Sequence, residues 1–284
     1  MPATLMDGAA LAARLREEIK QEVDELGHVG LATVLVGDDP ASEVYIRLKH
    51  KAADAAGMEA IDHRLPVTTS EDELVELVRE LNADGSIDGI LVQTPLPDEI
   101  DEARVMRAID PMKDVDGLHP FSVGQLYLGH QTLVPATPLG VMQLLMEYRI
   151  SIAGTRAVVV GRSPLVGKPM AMLLLQANAT VTICHSRTED LARHTLDADL
   201  LVAAVGVPGV ITADMVKQGA TVVDVGITRT DAGLVGDVDQ NVAEVAAFLT
   251  PVPGGVGPMT IAALLGNAVR AARYRSGKLA FPRI

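Results

Sequence analysis

Tryptophan is absent from this chain of 284 residues, and cysteine occurs once, at Cys184. The single cysteine excludes an internal disulfide and favours a reducing compartment, so a cytoplasmic protein is expected. No apolar run reaches the roughly 18 residues of a membrane helix, and residues 1–20 have the charged amphipathic pattern of a helix, not that of a signal peptide. Seven histidines without metal-ligand spacing argue against a structural zinc site, and no metal is expected.

Basic residues are few relative to acidic ones: 24 lysines and arginines against 37 aspartates and glutamates give a net charge of −13. This balance argues against binding to nucleic acid or to an anionic membrane surface. Small anionic ligands are not excluded, because a helix N-terminus or a local basic cluster can bind them. Aromatic residues make up only 2%, so the core must be aliphatic, and the chain is long enough for two domains.

Strand-like and helix-like segments alternate along the chain, which predicts an α/β fold with parallel sheets covered by helices. In the first half, strands are predicted over residues 30–37 and 89–93, and helices over 45–56, 70–81 and 101–109. Residues 110–119 have no period and precede a helix over 138–149 that is expected to link two domains. In the second half, strands are predicted over 156–160, 180–184, 200–205 and 221–225, and helices over 166–178 and 259–273.

The last of these helices is expected to pack back on the first domain. We therefore predict an N-terminal αβα domain with a parallel sheet, formed by residues 1–137 plus 265–284, and a Rossmann-type dinucleotide-binding domain over 138–264. A ligand cleft is expected between them, since the carboxyl ends of parallel strands form the ligand crevice in open α/β sheets.

Residues 250–260 contain three prolines and three glycines. Proline fixes φ and removes a donor, whereas glycine permits φ > 0 and close backbone approach. The run predicts a stiff loop with free backbone N–H groups, leading into an apolar segment near Pro258. A plain turn needs one or two such residues, so a ligand-holding loop is favoured over a simple connector.

Residues 161–167, Gly-Arg-Ser-Pro-Leu-Val-Gly, lie between a predicted strand and a predicted helix, as the phosphate-binding loop of a Rossmann fold does. The spacing is not Gly-x-Gly-x-x-Gly: after Gly161, Ser163 stands at the second glycine and the last glycine, Gly167, comes later. The helix start nevertheless supplies N–H groups and the positive end of a dipole for phosphate.

The next predicted strand ends in His-Ser-Arg-Thr at residues 185–188, where the adenosine ribose lies in such folds. An acidic residue there favours NAD, whereas arginine favours the 2′-phosphate of NADP. Ser186 and Arg187 occupy this place, and Arg162 can reach the same phosphate, so NADP is the predicted cofactor. The alternative is that Arg187 is a solvated cation at a strand end.

Four polar residues form a candidate reaction site. Tyr45 and Lys49 are four residues apart on a predicted helix and share one face. Burial can lower the pKa of a lysine by several units, and a tyrosine hydroxyl can orient it or relay a proton. Gln93 follows a buried strand, at the carboxyl end where ligand crevices lie. Asp116 lies in a polar turn, where an aspartate alone is more often a turn former than a ligand.

These residues resemble the bifunctional methylenetetrahydrofolate dehydrogenase/methenyltetrahydrofolate cyclohydrolase family. The matching segments are residues 41–51, 89–93, 113–117, 161–169, 236–239 and 250–260, in the family's order over nearly the whole chain. The resemblance implies an NADP-dependent enzyme of one-carbon metabolism and purine biosynthesis, a cytoplasmic homodimer with tetrahydrofolate derivatives as substrates. It implies oxidation of methylenetetrahydrofolate and hydrolysis of the methenyl product to 10-formyltetrahydrofolate.

The resemblance also implies roles for single residues. Lys49 would be the central catalytic residue, with Tyr45, Gln93 and Asp116 around the folate in the cleft and Asp116 on the pterin ring. The predicted cofactor residues on the second domain are Gly161, Arg162, Ser163, Gly167, Ser186, Arg187 and Ile227. The loop at Pro253, Gly254 and Gly255 would close the cleft beside the pterin and the nicotinamide.

Three positions depart from the family's pattern: Thr94 replaces leucine, Ser122 replaces asparagine and Ala136 replaces a common cysteine. None removes a proposed catalytic group, but Thr94 adjoins the pocket and bears on substrate affinity and on the balance of the two activities. Two other functions stay open: an NADP oxidoreductase similar to shikimate dehydrogenase, and a nucleotide-binding regulator without catalysis. The Gln93 and Asp116 segments and residues 250–260 argue against the first, and the presence of Lys49 and Gln93 argues against the second.

Overall fold

A computed structural model of the chain describes residues 2–130, 132–231 and 233–282. Met1 of the predicted N-terminal helix and residues 131, 232 and 283–284 of the predicted domains lie outside the described residues. The strands are β1 (Thr4–Leu5), β2 (Gly30–Val36), β3 (Glu59–Leu65), β4 (Gly89–Val92), β5 (Arg156–Val160), β6 (Thr180–Cys184), β7 (Leu200–Ala203), β8 (Thr221–Asp224), β9 (Thr228–Thr230), β10 (Gly233–Val235) and β11 (Phe248–Leu249). The α-helices are α1 (Gly8–Leu26), α2 (Pro40–Ala55), α3 (Glu71–Ala83), α4 (Glu102–Ala108), α5 (Pro120–Tyr127), α6 (Ala136–Glu147), α7 (Gly167–Gln176), α8 (Leu191–Thr195) and α9 (Val256–Arg275), and short 3₁₀ helices cover Ala213–Met215 and Gln240–Glu244.

The chain divides into two compact units. The six-stranded unit comprises Met1–Ala13 and Thr137–Thr260, and the three-stranded unit comprises Arg14–Ala136 and Ile261–Ile284. This division differs from the predicted domains mainly at the N-terminus, which belongs to the six-stranded unit because β1 pairs in parallel with β11. A strand of two residues leaves no periodic signal in the sequence.

The six-stranded unit is built on a parallel sheet in the order β1-β11-β8-β7-β5-β6. Strands β7 and β8 are buried at every residue, as near-continuous apolar strands covered on both faces should be. Strands β6 and β7 lie on opposite sides of β5. Such a change of direction in the strand order is where dinucleotides bind in doubly wound sheets.

The three-stranded unit is built on a parallel sheet in the order β3-β2-β4. The central strand β2 is buried at all seven residues. The predicted capping box at the start of α3 is confirmed: Ser70 Oγ accepts from the Glu73 N–H at 3.3 Å, and the Glu73 carboxylate accepts from the Ser70 N–H at 2.8 Å. This cap satisfies two backbone donors that the first turn would leave unpaired.

Several elements differ from their predicted extents. Strand β3 was not predicted, because its sequence is largely polar and its residues are only partly buried at the edge of the sheet. Helix α1 runs from Gly8 to Leu26 instead of 1–20, and α9 begins at Val256 instead of 259. Pro258 lies in the first turn of α9, where its missing N–H leaves no bond unmade. Within the described ranges, no helix is both long enough and apolar enough to cross a membrane.

Candidate active site

Helix α2 carries two of the predicted catalytic side chains. The carboxylate of Asp39 caps the helix by accepting from the Ser42 N–H at 2.8 Å, and Pro40 begins it, where no backbone donor is needed. Tyr45 and Lys49 lie one turn apart, as their spacing predicts. Tyr45 is 43% exposed, whereas Lys49 is partly buried.

Gln93 is brought to Lys49 by the end of β4. Its backbone N–H continues the sheet by donating to the carbonyl of Val34 at 2.8 Å. Its side-chain Nε2 donates to the carbonyl of Thr94 at 2.8 Å, and its Oε1 accepts from the amine of Lys49 at 3.0 Å. Only the backbone of Thr94 takes part, so the replacement of leucine at this position leaves the contact intact.

Lys49 is electrostatically coupled to Asp116. Burial lowers the pKa of Lys49, and the negative charge of Asp116 partly opposes this shift. Burial raises the pKa of Asp116, and the positive charge of Lys49 partly opposes that shift. Desolvation is the larger effect on each pKa, so both groups are shifted towards their neutral forms. A lysine with a lowered pKa holds more neutral amine, the form that accepts a proton.

The turn that carries Asp116 is fixed by Gly117, which belongs to the segment matched in the sequence, and by Asn267, which the sequence did not indicate. Gly117 has φ 67°, and a Cβ on it would lie 2.6 Å from the carbonyl carbon of Val134, so the turn needs glycine. Asn267 donates to the carbonyls of Val115 and Val134, both at 2.8 Å. An asparagine in the apolar helix α9 is the signal that could have revealed this contact.

Two charged residues before Asp116 are buried. Lys113 is 2% exposed, and its amine donates to three carbonyls at the C-terminal end of α3. These are the carbonyls of Leu81, Asn82 and Asp84, at 2.8, 2.8 and 2.9 Å. Asp114 is 1% exposed and accepts from the His119 N–H at 2.7 Å, and burial raises its pKa to about 6. Both residues therefore anchor the segment that presents Asp116.

In the six-stranded unit, the predicted phosphate loop connects β5 to α7. Gly161 has φ 133°, and a Cβ on it would lie 2.3 Å from the carbonyl oxygen of Ala204. A Cβ on Gly167 would lie 2.2 Å from the carbonyl oxygen of Gly161. Both positions exclude a side chain, and close backbone approach of this kind is what the glycines of a dinucleotide loop provide.

Ser163 replaces the usual second glycine and has a structural role in the loop. Its Oγ accepts from the N–H groups of Val166 and Gly167, at 3.1 and 3.4 Å. The hydroxyl thus satisfies donors at the start of α7, as a helix cap does. The departure from the glycine pattern therefore keeps the strand–loop–helix geometry.

The predicted residues for the ribose and its phosphate follow β6. Ser186 and Arg187 are exposed, and so is Arg162 in the phosphate loop. The turn at the strand end is closed by Thr188, whose Oγ1 accepts from the His185 N–H at 2.8 Å. The backbone N–H of Arg187 donates to the Nδ1 of His185 at 3.2 Å. This bond does not involve the guanidinium of Arg187.

The part of the predicted proline- and glycine-rich loop that precedes Val256 ends where α9 begins. The N–H of Gly255 donates to the Pro251 carbonyl at 2.8 Å, and the Gly254 carbonyl accepts from the N–H of Ala9 at 2.9 Å. Pro253 and these glycines are therefore held in a loop of defined shape. Ile227 is 37% exposed, and its Cδ1 would lie 3.5 Å from a Cβ on Gly257, so it borders the first turn of α9.

Comparison with known proteins assigns both parts of the chain. The model described as "Tetrahydrofolate dehydrogenase/cyclohydrolase, catalytic domain" matches residues 6–116, and the corresponding NAD(P)-binding domain model matches residues 135–276. The chain belongs to the tetrahydrofolate dehydrogenase/cyclohydrolase family. The resemblance and the α/β fold expected from the sequence are confirmed. Lys49, Gln93 and Asp116 fall within the catalytic-domain match, and the predicted cofactor residues fall within the NAD(P)-binding match.

Individual relatives support this assignment over the full length. The bifunctional protein FolD of Campylobacter curvus is 54% identical over 281 residues, covering 97% of this chain and 98% of the relative. The structure of the bifunctional FolD enzyme of Campylobacter jejuni has a TM-score of 0.95 and 47% identity, covering 96% and 99% of the two chains. The Trypanosoma brucei methylenetetrahydrofolate dehydrogenase-cyclohydrolase, solved with NADP cofactor and inhibitor, has a TM-score of 0.93 and 39% identity, covering 98% and 100%.

The alternative similarity is limited to the fold. Shikimate 5-dehydrogenase of Thermus thermophilus shares 18% identity with this chain at a TM-score of 0.52. A likeness at this level shows a related fold and does not indicate shikimate dehydrogenase activity in this chain. Within the described part of the chain, no group of three or more histidine, cysteine, aspartate or glutamate side chains could hold a metal ion.

Proposed function

We propose that this tetrahydrofolate dehydrogenase/cyclohydrolase oxidises methylenetetrahydrofolate to methenyltetrahydrofolate with NADP and then hydrolyses the product to 10-formyltetrahydrofolate. The observation that carries the proposal is the hydrogen bond between the Lys49 amine and the Gln93 amide oxygen within the catalytic-domain match. Burial lowers the pKa of this lysine, so more of it is the neutral amine that can accept a proton.

The phosphate loop supports the choice of a dinucleotide cofactor. Gly161 and Gly167 leave no space for a Cβ, so the backbone can approach a pyrophosphate at the start of α7. Arg187 and Arg162 are proposed to bind the 2′-phosphate that distinguishes NADP from NAD, with Ser186 beside the ribose. Ile227 is proposed to contact the nicotinamide half. NADP, when bound, supplies the hydride acceptor.

The folate is proposed to bind at the residues around Lys49. The carboxylate of Asp116 can accept hydrogen bonds from the N–H groups of a pterin ring, and the partly exposed ring of Tyr45 offers a flat apolar surface with a hydroxyl at its tip. The backbone of Pro253, Gly254 and Gly255 is proposed as a further contact to the substrate. The dehydrogenase step needs only alignment of these two ligands, since the chemistry belongs to them.

The hydrolysis step is where Lys49 acts. In its neutral form the amine accepts a proton from the water that attacks the methenyl carbon. The resulting ammonium can then donate this proton to the ring nitrogen that leaves when the bridge opens. The hydroxyl on the former methenyl carbon loses its proton to solvent as the formyl group forms, so one cation and one water give 10-formyltetrahydrofolate and one proton. Gln93 holds the amine in place, and Tyr45 is proposed to orient the water or relay the proton.

The assembly and location are also proposals. A homodimer is supported by the edge strand β6, which carries the 39% exposed side chain of Ile183, and by the 54% exposed side chain of Leu175 on α7. A cytoplasmic location is supported by Cys184, which is free and buried, as expected in a reducing compartment. Light scattering of the purified protein at several concentrations tests the proposed homodimer, because a monomer at every concentration would contradict it.

The test of the function is an absorbance assay of the purified chain. Mixing with methylenetetrahydrofolate and NADP should raise the absorbance of reduced nicotinamide, and addition of methenyltetrahydrofolate alone should show decay of its chromophore. Reduction of NADP without decay of the methenyl chromophore would show a dehydrogenase without cyclohydrolase activity. That result would contradict the proposed role of Lys49 in hydrolysis. Absence of both signals in a folded protein would refute the proposal.

A further inference from the structure

Two buried carboxylates, which we call the aspartate pair, lie at the carboxyl edge of the six-stranded sheet. Asp224 is the last residue of β8 and is 4% exposed, and Asp237 is fully buried. Buried carboxylates need hydrogen-bond partners, because removal from water is costly for a charge. The neighbours of the pair are backbone N–H groups from three separate segments.

The aspartate pair joins these segments. Asp237 Oδ2 accepts from the N–H groups of Val205 and Gly206, at 2.7 and 3.1 Å, in the loop after β7. Asp224 accepts from the N–H of Gly226 at 3.1 Å in the loop after β8, and from the N–H groups of Asp237 and Val238 at 2.9 and 3.0 Å. Two side chains therefore set the relative positions of both strand-end loops.

The fit around the pair is tight. A Cβ on Gly226 would lie 2.0 Å from Asp237 Oδ1, and a Cβ on Gly236 would lie 1.8 Å from Asp224 Oδ2. Asp237 Oδ1 is buried and has no hydrogen-bond partner among the described residues. A buried carboxylate with one unpaired oxygen calls for an explanation, and the two backbone donors held by its other oxygen point to a role in positioning.

The loops that the pair holds lie where a dinucleotide binds in this sheet type. Ligands occupy the crevice outside the carboxyl ends of the strands, beside the change in strand direction, which here falls at β5. Residues 205–206 follow β7, the neighbour of β5, and Ile227 directly follows Gly226, which follows β8. Both loops are on the edge that would face the nicotinamide half of the cofactor.

We propose that Asp237 is a positioning residue for the cofactor: by fixing residues 205–206 against Gly226 and Ile227, it shapes the surface that receives the nicotinamide half of NADP. The inference rests on the proposed function. Asp237 need not contact the cofactor, because its bonded oxygen is occupied by backbone N–H groups and the residue is fully buried. Burial raises the pKa of Asp224 to about 6, with a further contribution from the charge of Asp237, so the pair is maintained at a cost in stability.

The experiment compares Asp237→Ala and Asp237→Asn with the wild type, and Asp239→Ala is the matched control. Asp239 caps the 3₁₀ helix at Gln240–Glu244 through the Asn241 N–H, and within the described residues it makes no hydrogen bond to either loop. Removal of Asp237's acceptor should raise the KM for NADP and the Kd for NADPH by about tenfold or more, because the loop arrangement that binds the cofactor would be populated in only a fraction of the molecules. Asp237→Asn keeps an acceptor for Val205 and Gly206 and should recover most of the loss.

Two readouts separate positioning from a general loss of structure. Hydrolysis of preformed methenyltetrahydrofolate needs no dinucleotide and should stay near the wild-type rate. Reaction of the only cysteine, Cys184, with a thiol reagent reports on the six-stranded unit, because this residue is buried in β6, and it should stay slow.

Four outcomes would overturn the inference. The first is an unchanged Kd for NADPH in Asp237→Ala, and the second is rapid labelling of Cys184 in that variant, which would assign Asp237 to folding. The third is an equal loss in Asp237→Asn with Cys184 protected, which would assign the effect to charge, and the fourth is an equal loss in Asp239→Ala. Failure of the proposed function is recognised separately, because the wild type itself would then neither bind NADPH nor reduce NADP.

Discussion

The amine of Lys49 and the amide oxygen of Gln93 lie 3.0 Å apart, while the amide nitrogen of the same glutamine donates to the carbonyl of Thr94. The second bond fixes the orientation of the amide, so the lysine always faces an acceptor. Both the neutral amine and the ammonium carry N–H donors. The hydrogen bond can therefore persist while the lysine gains and loses a proton, which would keep the amine in place through the proposed hydrolysis step.

Replacement of Lys49 by methionine should abolish cyclohydrolase activity. The thioether fills a similar volume but has no proton to exchange, and loss of a positioned acid–base group costs about 100-fold or more in rate. The measurement is decay of the methenyl chromophore. Lys51→Met is the matched control, because Lys51 is exposed on the same helix and should hydrolyse at the wild-type rate. Hydrolysis near the wild-type rate by Lys49→Met would contradict the role of this residue.

Replacement of Asp116 by asparagine should shift the pH dependence of hydrolysis. The charge of Asp116 raises the pKa of Lys49 against the larger lowering by burial, so its removal should lower that pKa further. The active form in the proposed hydrolysis step is the neutral amine, which predominates above the pKa. The acidic limb of the kcat profile should therefore move to lower pH in Asp116→Asn. The KM for folate should rise, because Asp116 is proposed to bind the pterin ring. A limb that moves to higher pH would be inconsistent with this coupling.

Replacement of Arg187 by alanine should change cofactor preference. The guanidinium is expected to pair with the 2′-phosphate, which NAD lacks, so the KM for NADP should rise by about tenfold and that for NAD should change little. Steady-state kinetics with both cofactors checks this. Arg156→Ala is the control. Arg156 is the first residue of β5, so it lies at the amino ends of the strands, away from the predicted cofactor loops at their carboxyl ends, and it pairs with Asp197. Equal effects of Arg187→Ala on both cofactors would place this arginine away from the phosphate.

The buried carboxyl of Asp114 should make stability depend on pH. Its pKa is about 6 in the folded protein against an ordinary value of 3.8. Its stabilising contribution is therefore fully present below the ordinary pKa and is lost as the pH rises through about 6. Relative to Asp114→Asn, the wild type should gain roughly 1 kcal/mol in unfolding free energy between pH 7.5 and pH 5. Urea titrations at the two pH values measure this, and Asp54→Asn, at an exposed position on α2, should keep the wild-type dependence. The same dependence in Asp114→Asn would show that another group is responsible.

The sequence could predict the parts of the site that depend on local periodicity. Tyr45 and Lys49 lie on one helix at a spacing of four, and Gln93 follows a short apolar strand, so the helical turn and the end of β4 were enough to single them out. The 3.0 Å hydrogen bond between the Lys49 amine and the Gln93 amide oxygen depends on the strand order β3-β2-β4, which places β4 beside β2. Strand order is a non-local property, and the alternation of segments predicts a sheet without fixing it.

Contacts over long sequence separations could not be predicted. Asn267 and Val115 are 152 residues apart, and the aspartate pair bonds to loops that follow two different strands. A buried aspartate and a turn aspartate look alike in a sequence, because only the surrounding backbone donors distinguish them. The edge strand β3 was missed for a related reason: its polar residues are tolerated only because its position in the sheet leaves them partly exposed.

The parallel pairing of β1 with β11 has a consequence for synthesis. Thr4 and Leu5 are synthesised long before their partners, Phe248 and Leu249. Translation proceeds from the N-terminus, so the edge of the six-stranded sheet stays open until Phe248 and Leu249 have been made. The three-stranded unit waits longer still, because Ile261–Ile284 belongs to it. Neither unit can be completed by a nascent chain that stops early, and chaperone protection during translation should matter for both.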